Sequence, residues 1–516
     1  MNRVTLISSK SPPPAPPPQD LYAKRKQIYP KLAHGKFRTV KWIAMAALLG
    51  IYYLVPWLRW ERGVGVPDQA VLADFAGERF FFFGIEIWPQ EAYYMAGLMI
   101  LAALGLFLVT SLFGRVWCGY ACPQTVWTDL YIWVERAFEG DRAARMRLDA
   151  KPMSFNKLWR KVGKHIVWLI IAFLTGGAFI LYFHDARMIA QTFFIGEAPL
   201  SAYWFAGILT FTTYALAGTM REQVCTYLCP WPRIQAALTD EHALNVTYRY
   251  DRGEPRGPHR KGESWEGRGD CIDCKQCVQV CPMGIDIREG QQMECITCAL
   301  CIDACDDVMA KIGRPRGLID YLALDDEPPT APQESAAVAG YASAPAGDVT
   351  GAALPPWQPK PLWQHIFRPR TIVYTTAWAA IGVALVVALF IRPEIDMTIA
   401  PVRNPTFVTL SDGSIRNAYD IRMRNKHTEA RDFRVSLVAD SPLELAVEGA
   451  SNAVVNVPAD TSRLQRVYVI APPQTPAARA QRSDLRLWVE DVTSGERAYG
   501  NTIFNGKEGS DERGTD

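Results

Sequence analysis

The sequence predicts a polytopic α-helical membrane protein of about five spans, with a soluble cysteine-rich insert and a C-terminal β-sandwich. Three observations predict it. Five apolar runs, almost free of internal charge, are long enough or nearly so to cross a hydrocarbon core of ~30 Å. Eight of the twelve cysteines crowd between Gly269 and Asp306. After Ile391 the chain turns to short, β-branched, often alternating runs separated by turn residues. The composition, 49% hydrophobic and 21% charged, therefore averages over two kinds of segment. A net charge of +2 argues against nucleic acid as the main partner.

Residues 1–37 are Pro-rich and then basic, with Lys24, Arg25, Lys26, Lys31 and Lys36; they read as a disordered tail becoming a cytoplasmic anchor. SKSPPPAPPPQD precedes every apolar run, so no cleavable signal peptide is expected. Four spans are predicted within 38–239, at 42–58, 92–113, 165–183 and 201–219, and a fifth at 371–391 within 363–392. The first is the shortest and contains Pro56, which blurs its end. A buried helix of a soluble protein is the alternative for one such run; five of them argue against it.

Orientation follows from the basic residues. The loop after the second span carries Arg115, Arg136, Arg142, Arg145, Arg147, Lys151, Lys157, Arg160, Lys161 and Lys164. The loops at 59–91 and 184–200 are more acidic and aromatic. The positive-inside rule then puts the N-terminus and the cysteine-rich insert in the cytoplasm and the C-terminal domain in the periplasm of a bacterial inner membrane. Cysteine usage agrees, because no cysteine follows Cys305 and a disulfide framework is not expected.

Residues 240–322 hold two C-x-x-C-x-x-C-x-x-x-C runs, the spacing of bacterial two-cluster ferredoxins. In that pattern each run gives three ligands to one cubane and its fourth to the other. Cys271, Cys274, Cys277 and Cys305 are thus expected on one 4Fe–4S cluster, and Cys295, Cys298, Cys301 and Cys281 on the second. Pro282 follows the first run as the pattern requires, whereas Asp306 follows the second. Zinc sites usually show two C-x-x-C pairs with a longer spacer, so zinc is the weaker alternative.

Residues 323–362 form an Ala/Pro-rich, low-complexity stretch, read as a flexible linker. Within 393–507, strands are expected at 395–402, 415–425, 433–439, 453–457, 464–470, 485–489 and 498–504, with SDGS and PADTS among the turns. About seven such strands suggest an immunoglobulin-like sandwich without the inter-sheet disulfide. It carries no catalytic grouping and reads as an interaction module; 508–516 reads as a disordered tail.

A second cysteine set follows spans two and four: Cys118 and Cys122 in RVWCGYACPQTVW, Cys225 and Cys229 in REQVCTYLCPW. Each is C-x-x-x-C-P at an expected cytoplasmic membrane edge. The repeat suggests two hairpins that bring equivalent helix ends together. A gap of four puts both sulfurs on one face of a helical turn. The prolines suit a first helical position, which places Cys122 and Cys229 at or near N-caps, where a thiolate is favoured. Val126, Leu130, Trp133, Val134 and Ala137 then repeat as in an interfacial helix. Small residues packing at helix ends are the alternative for one such motif, and the second copy argues for a shared redox or metal site. Four thiolates suit Cu(I) or an iron–sulfur centre, and a reversible dithiol pair is equally open.

The seven histidines give no haem pair. His165 and His184 bracket the third span at opposite faces. His34, His242, His259 and His365 fall in basic or linker segments and are expected to be solvated or lipid-facing; His427 stands alone in the sandwich.

RVWCGYACPQTVWTDLYIWVERAFEGDRAAR, MREQVCTYLCPWPRIQ, YDRGEPRG and CVQVCPMGIDIREGQQMECITCALCIDACDDVMAKIGRPRGLI closely resemble the CcoG/FixG/RdxA family of cytochrome c oxidase accessory proteins. So does FFFGIEIWPQE before the second span. The resemblance is strong over 30–325, and the sandwich matches the family's architecture. Ferredoxin runs alone are common; their pairing with two C-x-x-x-C-P motifs is what makes the resemblance specific. It implies a role in assembling cbb-type haem–copper oxidase, with reduction of Cu(II) to Cu(I) for copper delivery. The implied partners are a cytoplasmic electron donor and oxidase-assembly or copper-transport proteins. Carried over, the eight cysteines above hold the clusters, and Cys118, Cys122, Cys225 and Cys229 form the catalytic copper or electron-acceptor site. The chain departs from the family in its long Ala/Pro linker and acidic tail, which touch no motif. Quinol-oxidising polyferredoxin membrane proteins share C-x-x-x-C-P. A quinol-linked relay and a scaffold with structural clusters therefore stand as rivals to a cupric reductase.

Overall fold

A computed structural model of the chain describes residues 27–62, 66–260, 262–326, 360–391, 395–427, 429–450, 452–459 and 461–507. Of the tail expected at 1–37, residues 1–26 lie outside the described residues, as do residues 327–359 of the linker expected at 323–362 and the tail expected at 508–516. The chain divides into two compact units. One comprises Met1–Trp57, Val71–Phe80 and Leu98–Trp378; the other comprises Leu58–Ala70, Phe81–Gly97 and Ala379–Asp516.

Among the described residues, five helices are long and apolar enough to cross a membrane: Lys36–Trp57, Pro89–Phe113, Phe155–Ile180, Leu200–Met220 and Pro369–Phe390. At 1.5 Å per residue, a helix of about 21 residues covers the hydrocarbon core. Ile43, Met99, Phe211 and Val383 point outward and are exposed, as lipid contact requires. The third helix starts ten residues before the expected 165. Its added turns carry Lys157, Arg160, Lys161 and Lys164, which hide them from a hydropathy reading. Ser154 caps it by accepting from Lys157 N at 3.3 Å.

In the first unit, the reading of the N-terminal tail changes. Residues 27–37 are not a disordered tail. Lys31 N donates to Gln279 O at 2.8 Å, and Tyr29 Oη donates to Asp149 at 2.8 Å. Asp303 accepts from Phe37 N (3.2 Å) and Arg38 N (2.7 Å), so a carboxylate of the cysteine-rich region caps the first span. The Pro123–Glu139 helix turns Trp133 and Ala137 of its apolar stripe outward and buries acids on its other side. Its Asp129, Glu135 and Glu139 are buried, while Trp133 is exposed. Glu135 takes Arg145 at 2.8 Å, Arg221 at 2.9 Å and Lys164 at 3.4 Å; Glu139 takes Lys164 at 2.8 Å and Lys161 at 3.0 Å. Burial alone would raise the Glu135 pKa, but Arg221, Arg145 and Lys164 outweigh it and hold the group below its ordinary value. The loop rich in Lys and Arg thus folds back as a set of counter-ions.

The ends of the expected linker are also ordered. Asp326 is buried beside His365, with Nε2 3.2 Å from Oδ2, so His365 is neither solvated nor lipid-facing. Lys360 pairs with Asp325. Arg368, at the base of the fifth span, donates to Asp240 at 2.8 Å and to Ser111 O at 2.6 Å.

The second unit carries the sandwich. One sheet runs Glu444–Val447, Ser462–Ala471, Ile415–Asn425, Ile395–Pro401, with Val408–Thr409 also on Ile415–Asn425. The other runs Val454–Val457, Arg431–Ala439, Arg482–Asp491, Arg497–Asn505. All seven expected strands are present. Glu444–Val447 and Val408–Thr409 are additions too short for an alternation to show. Along Ile415–Asn425 the inward Tyr419, Ile421 and Met423 meet Phe433, Val467, Leu487 and Phe504. Each such side chain contributes about 1.5–3 kcal/mol of burial, in place of a disulfide. His427 is not isolated there, since its Nε2 lies 3.8 Å from Asp491. In the same unit Lys426 pairs with Glu91 at 2.8 Å.

Glu135→Ala is expected to lower stability by about 3–5 kcal/mol, because three buried cations lose their shared anion. The melting temperature of the detergent-solubilised protein checks this; an unchanged value refutes it.

Candidate metal centres

Each cysteine run wraps its cavity by the same backbone device. The residue before the second cysteine and the residue after it are left-handed in both runs: Asp273 and Lys275 (φ 52° and 54°), Thr297 and Ala299 (φ 52° and 59°). Two left-handed residues flanking a thiol reverse the loop tightly enough for three sulfurs to face one centre. A helix follows at the same offset in each run, Gln276–Val280 and Leu300–Lys311. The antiparallel pair Asn245–Tyr248 with Ile319–Leu322 closes the region, with Tyr248 opposite Ile319.

Two cavities result. Cys271, Cys274, Cys277 and Cys305 line one of about 20 Å³. Cys281, Cys295, Cys298 and Cys301 line another of about 20 Å³, which Cys277 also borders. The fourth cysteine of each run therefore stands on the other run's cavity. Burial pushes the thiols of Cys277, Cys281 and Cys295 up to about 11, 12 and 11. Thiolate at these positions needs a bound cation. Among the described residues no three His, Cys, Asp or Glu side chains are gathered to hold a single metal ion. The thiols ring cavities instead. This donor set fits a polynuclear cluster, whose irons lie apart and take one thiolate each.

The second cysteine set forms a third cavity, of about 210 Å³. Cys118, Cys122, Cys225 and Cys229 all line it, together with Arg115, Gln124, Met293, Glu294 and Ile296. Cys118 sits in the helical turn Val116–Tyr120, and Cys122 is the N-cap of Pro123–Glu139. The second motif is built differently. Cys225 lies in a π-helical turn, Val224–Leu228, and Cys229 stands one residue before the cap of Trp231–Leu238, which is Pro230. π-turns are rare and concentrate at functional sites. Burial pushes Cys118 up to about 12 and Cys225 to about 11. Cys118 Sγ donates to Gln235 Oε1 at 3.0 Å, and Gln235 Nε2 donates to Thr110 at 3.3 Å.

The third cavity abuts the second run directly. A Cβ on Gly119 would lie 2.7 Å from Ile296 O and 3.0 Å from Cys298 Cα, so only glycine permits this approach. Tyr120 Oη donates to Cys298 O at 3.1 Å, and Arg115 binds both Met293 O and Pro232 O. Gly119, Tyr120 and Gln235 were not singled out from the sequence, and Arg115 only as one of the basic residues of its loop. Their signal was proximity to the motifs, since Gly119 and Tyr120 fall inside C-x-x-x-C. His165 takes no part: its Nδ1 is 2.9 Å from Tyr214 Oη.

Fold and cysteine placement define an iron–sulfur electron-transfer protein of the membrane with an immunoglobulin-like C-terminal domain. Comparison with known families agrees. A 4Fe-4S dicluster domain matches residues 220–323 and a 4Fe-4S binding domain matches 95–139. The IG-like fold at the C-terminal of FixG, putative oxidoreductase, matches 385–507. Protein RdxB of Cereibacter sphaeroides is 54% identical over 94% of this chain and 98% of its own length. Protein RdxA of the same organism is 52% identical over 92% and 95%. The nitrogen fixation protein FixG of Rhizobium meliloti is 49% identical over 94% of each. The chain belongs to the FixG/RdxA/CcoG family.

Gly119→Ala is expected to cost about 1–3 kcal/mol through overpacking against the Cys298 loop, with partial loss of iron. Iron per chain and melting temperature check this; full iron with an unchanged melting temperature would show that the contact yields freely.

Proposed function

We propose that the chain is a membrane-bound cupric reductase acting in the assembly of cbb-type cytochrome c oxidase. Copper is its substrate: Cu(II) takes one electron, supplied by a cytoplasmic donor, and leaves as Cu(I). The observation that carries this reading is the convergence of Cys118, Cys122, Cys225 and Cys229 on one cavity in backbone contact with the second cysteine run. Cys271, Cys274, Cys277 and Cys305 would hold one 4Fe–4S cluster, and Cys281, Cys295, Cys298 and Cys301 the other. When bound, such clusters supply one-electron transfer.

The chain's own residues then have distinct tasks. Soft thiolates favour Cu(I) over Cu(II). Cys118 and Cys225 stay protonated until a cation enters, so copper binding there releases protons. Gly119 brings the copper cavity as close to the second run as backbones allow. The basic loop and the cysteine runs are assigned to the cytoplasm and the sandwich to the periplasm by the Lys/Arg asymmetry. The sandwich is the surface for oxidase-assembly or copper-transport proteins.

One observation favours a second reading. The 4Fe-4S binding domain match at 95–139 covers Cys118 and Cys122. On that reading the four cysteines hold a third cluster and the chain is an electron relay.

Cys122→Ser with Cys229→Ser is expected to abolish Cu(II) reduction while keeping about eight iron per chain. A parent protein with about twelve iron, falling by about four in this variant, establishes the second reading instead. Copper reduction undiminished in the double variant would move the reaction away from this cavity. For topology, a reporter active only in the periplasm should be active when fused near Glu508 and silent near Glu334; the reverse pattern overturns the assignment.

A further inference from the structure

Of the eight cysteines in the two runs, Cys274 alone is exposed. Cys271, Cys277 and Cys298 are buried, and the remaining four are half-buried. The two cavities therefore face different ways. The second run is covered, because the Gly119 backbone lies on Cys298 and Tyr120 bonds its carbonyl. The first run opens to solvent at Cys274.

The charges around that opening are sorted. Asp273 and Asp286 flank the loop, but both are taken by the buried Arg288, at 2.5 Å and 2.6 Å. Lys275, next to Cys274, is exposed. Arg256 is exposed as well and within electrostatic reach of Asp273 and Asp286. Its backbone is held beside the first ligand by Gly257 N, which donates to Cys271 O at 3.1 Å. The only carboxylate paired with it is Glu254, at 3.7 Å, among the described residues. Lys31 adds a third cation, its Nζ donating to Gln276 Oε1 at 2.9 Å. Lys275, Arg256, Lys31 and Arg288 set four positive charges around the opening against three negative ones from Asp273, Asp286 and Glu254, and with Arg288 buried beneath both aspartates the cations reaching solvent there are Lys275 and Arg256.

We propose that this face is the docking surface of an acidic one-electron carrier protein, recognised by Lys275, Arg256 and Lys31 around the exposed Cys274. The proposal rests on the reading of the chain as an electron-transfer protein supplied from the cytoplasm. The carrier loses one electron for each Cu(II) reduced to Cu(I), and no atom passes between the two proteins. A positive rim steers an acidic partner and sets its orientation, which governs on-rate and makes binding sensitive to salt. It also gives the chain a direction: electrons enter at Cys274 and leave on the side where Gly119 touches the Cys298 loop.

The test uses the full-length protein in detergent with its clusters assembled, and an acidic plant-type ferredoxin as probe, with affinity measured by calorimetry. Raising salt from about 20 mM to about 0.5 M should weaken binding at least about tenfold. Arg256→Glu with Lys275→Glu should weaken it about tenfold at low salt, with iron content read alongside. Should that variant lose iron, Arg256→Glu alone, which lies outside the cysteine loop, should still weaken binding about threefold. Absence of binding at low salt, or binding indifferent to salt and to these charges, overturns the proposal. Cu(II) reduction by the dithionite-reduced parent is measured separately. Its failure with docking intact overturns the cupric reductase and leaves the docking surface standing.

Discussion

The backbone contact between Gly119 and the loop of Cys298 is the constraint on which the site depends. A residue with a Cβ at 119 would collide with Ile296 O, so the motif after the second span can reach the second cysteine run only through glycine. Arg115 and Tyr120 fasten the same approach by bonding the carbonyls of Met293 and Cys298. Two further ties hold the cysteine region to the helices. Asp303 caps the first span, and the strap at Lys31 bonds Gln276 and Gln279. The cysteine region is thus a bracket fixed to the membrane helices, and no free-standing ferredoxin.

Burial of charge organises the rest of that unit. A carboxylate such as Glu135 can be buried only when its counter-ions come with it. Arg145, Lys164 and Arg221 come from three different segments, so their shared anion sets how those segments meet. Thiols obey the same rule with the opposite starting point. Neutral and pushed upward by burial, they become anions when a metal supplies the charge. The helical unit therefore carries its ion pairs in finished form and keeps its thiols for metal.

The eight-cysteine pattern, the five apolar runs and seven strands of the sandwich were legible in the sequence because each is written in local spacing. Three-residue gaps between cysteines force a loop, long apolar runs force a span, and alternation forces a half-buried strand. The elements missed or misjudged lack such a local signal. Glu444–Val447 is too short for alternation to show. The start of the third helix is disguised by Lys157, Arg160, Lys161 and Lys164. Asp129, Glu135 and Glu139 look like the polar face of a helix until their distant partners are known. His365 looks like a linker residue until Asp326 is beside it.

By itself, the sequence determined the class of protein, which cysteines stand around each cavity and the existence of a second cysteine set, since metal-ligand spacing is a short-range property. Only the tertiary structure decided that the two C-x-x-x-C-P motifs share one cavity, that this cavity abuts the second run, and that Cys274 is the exposed edge of the first. Those facts depend on which surfaces of separate helices meet. That meeting is set by steric fit at Gly119 and by the hydrogen bond from Cys118 to Gln235, between residues more than a hundred positions apart in the chain.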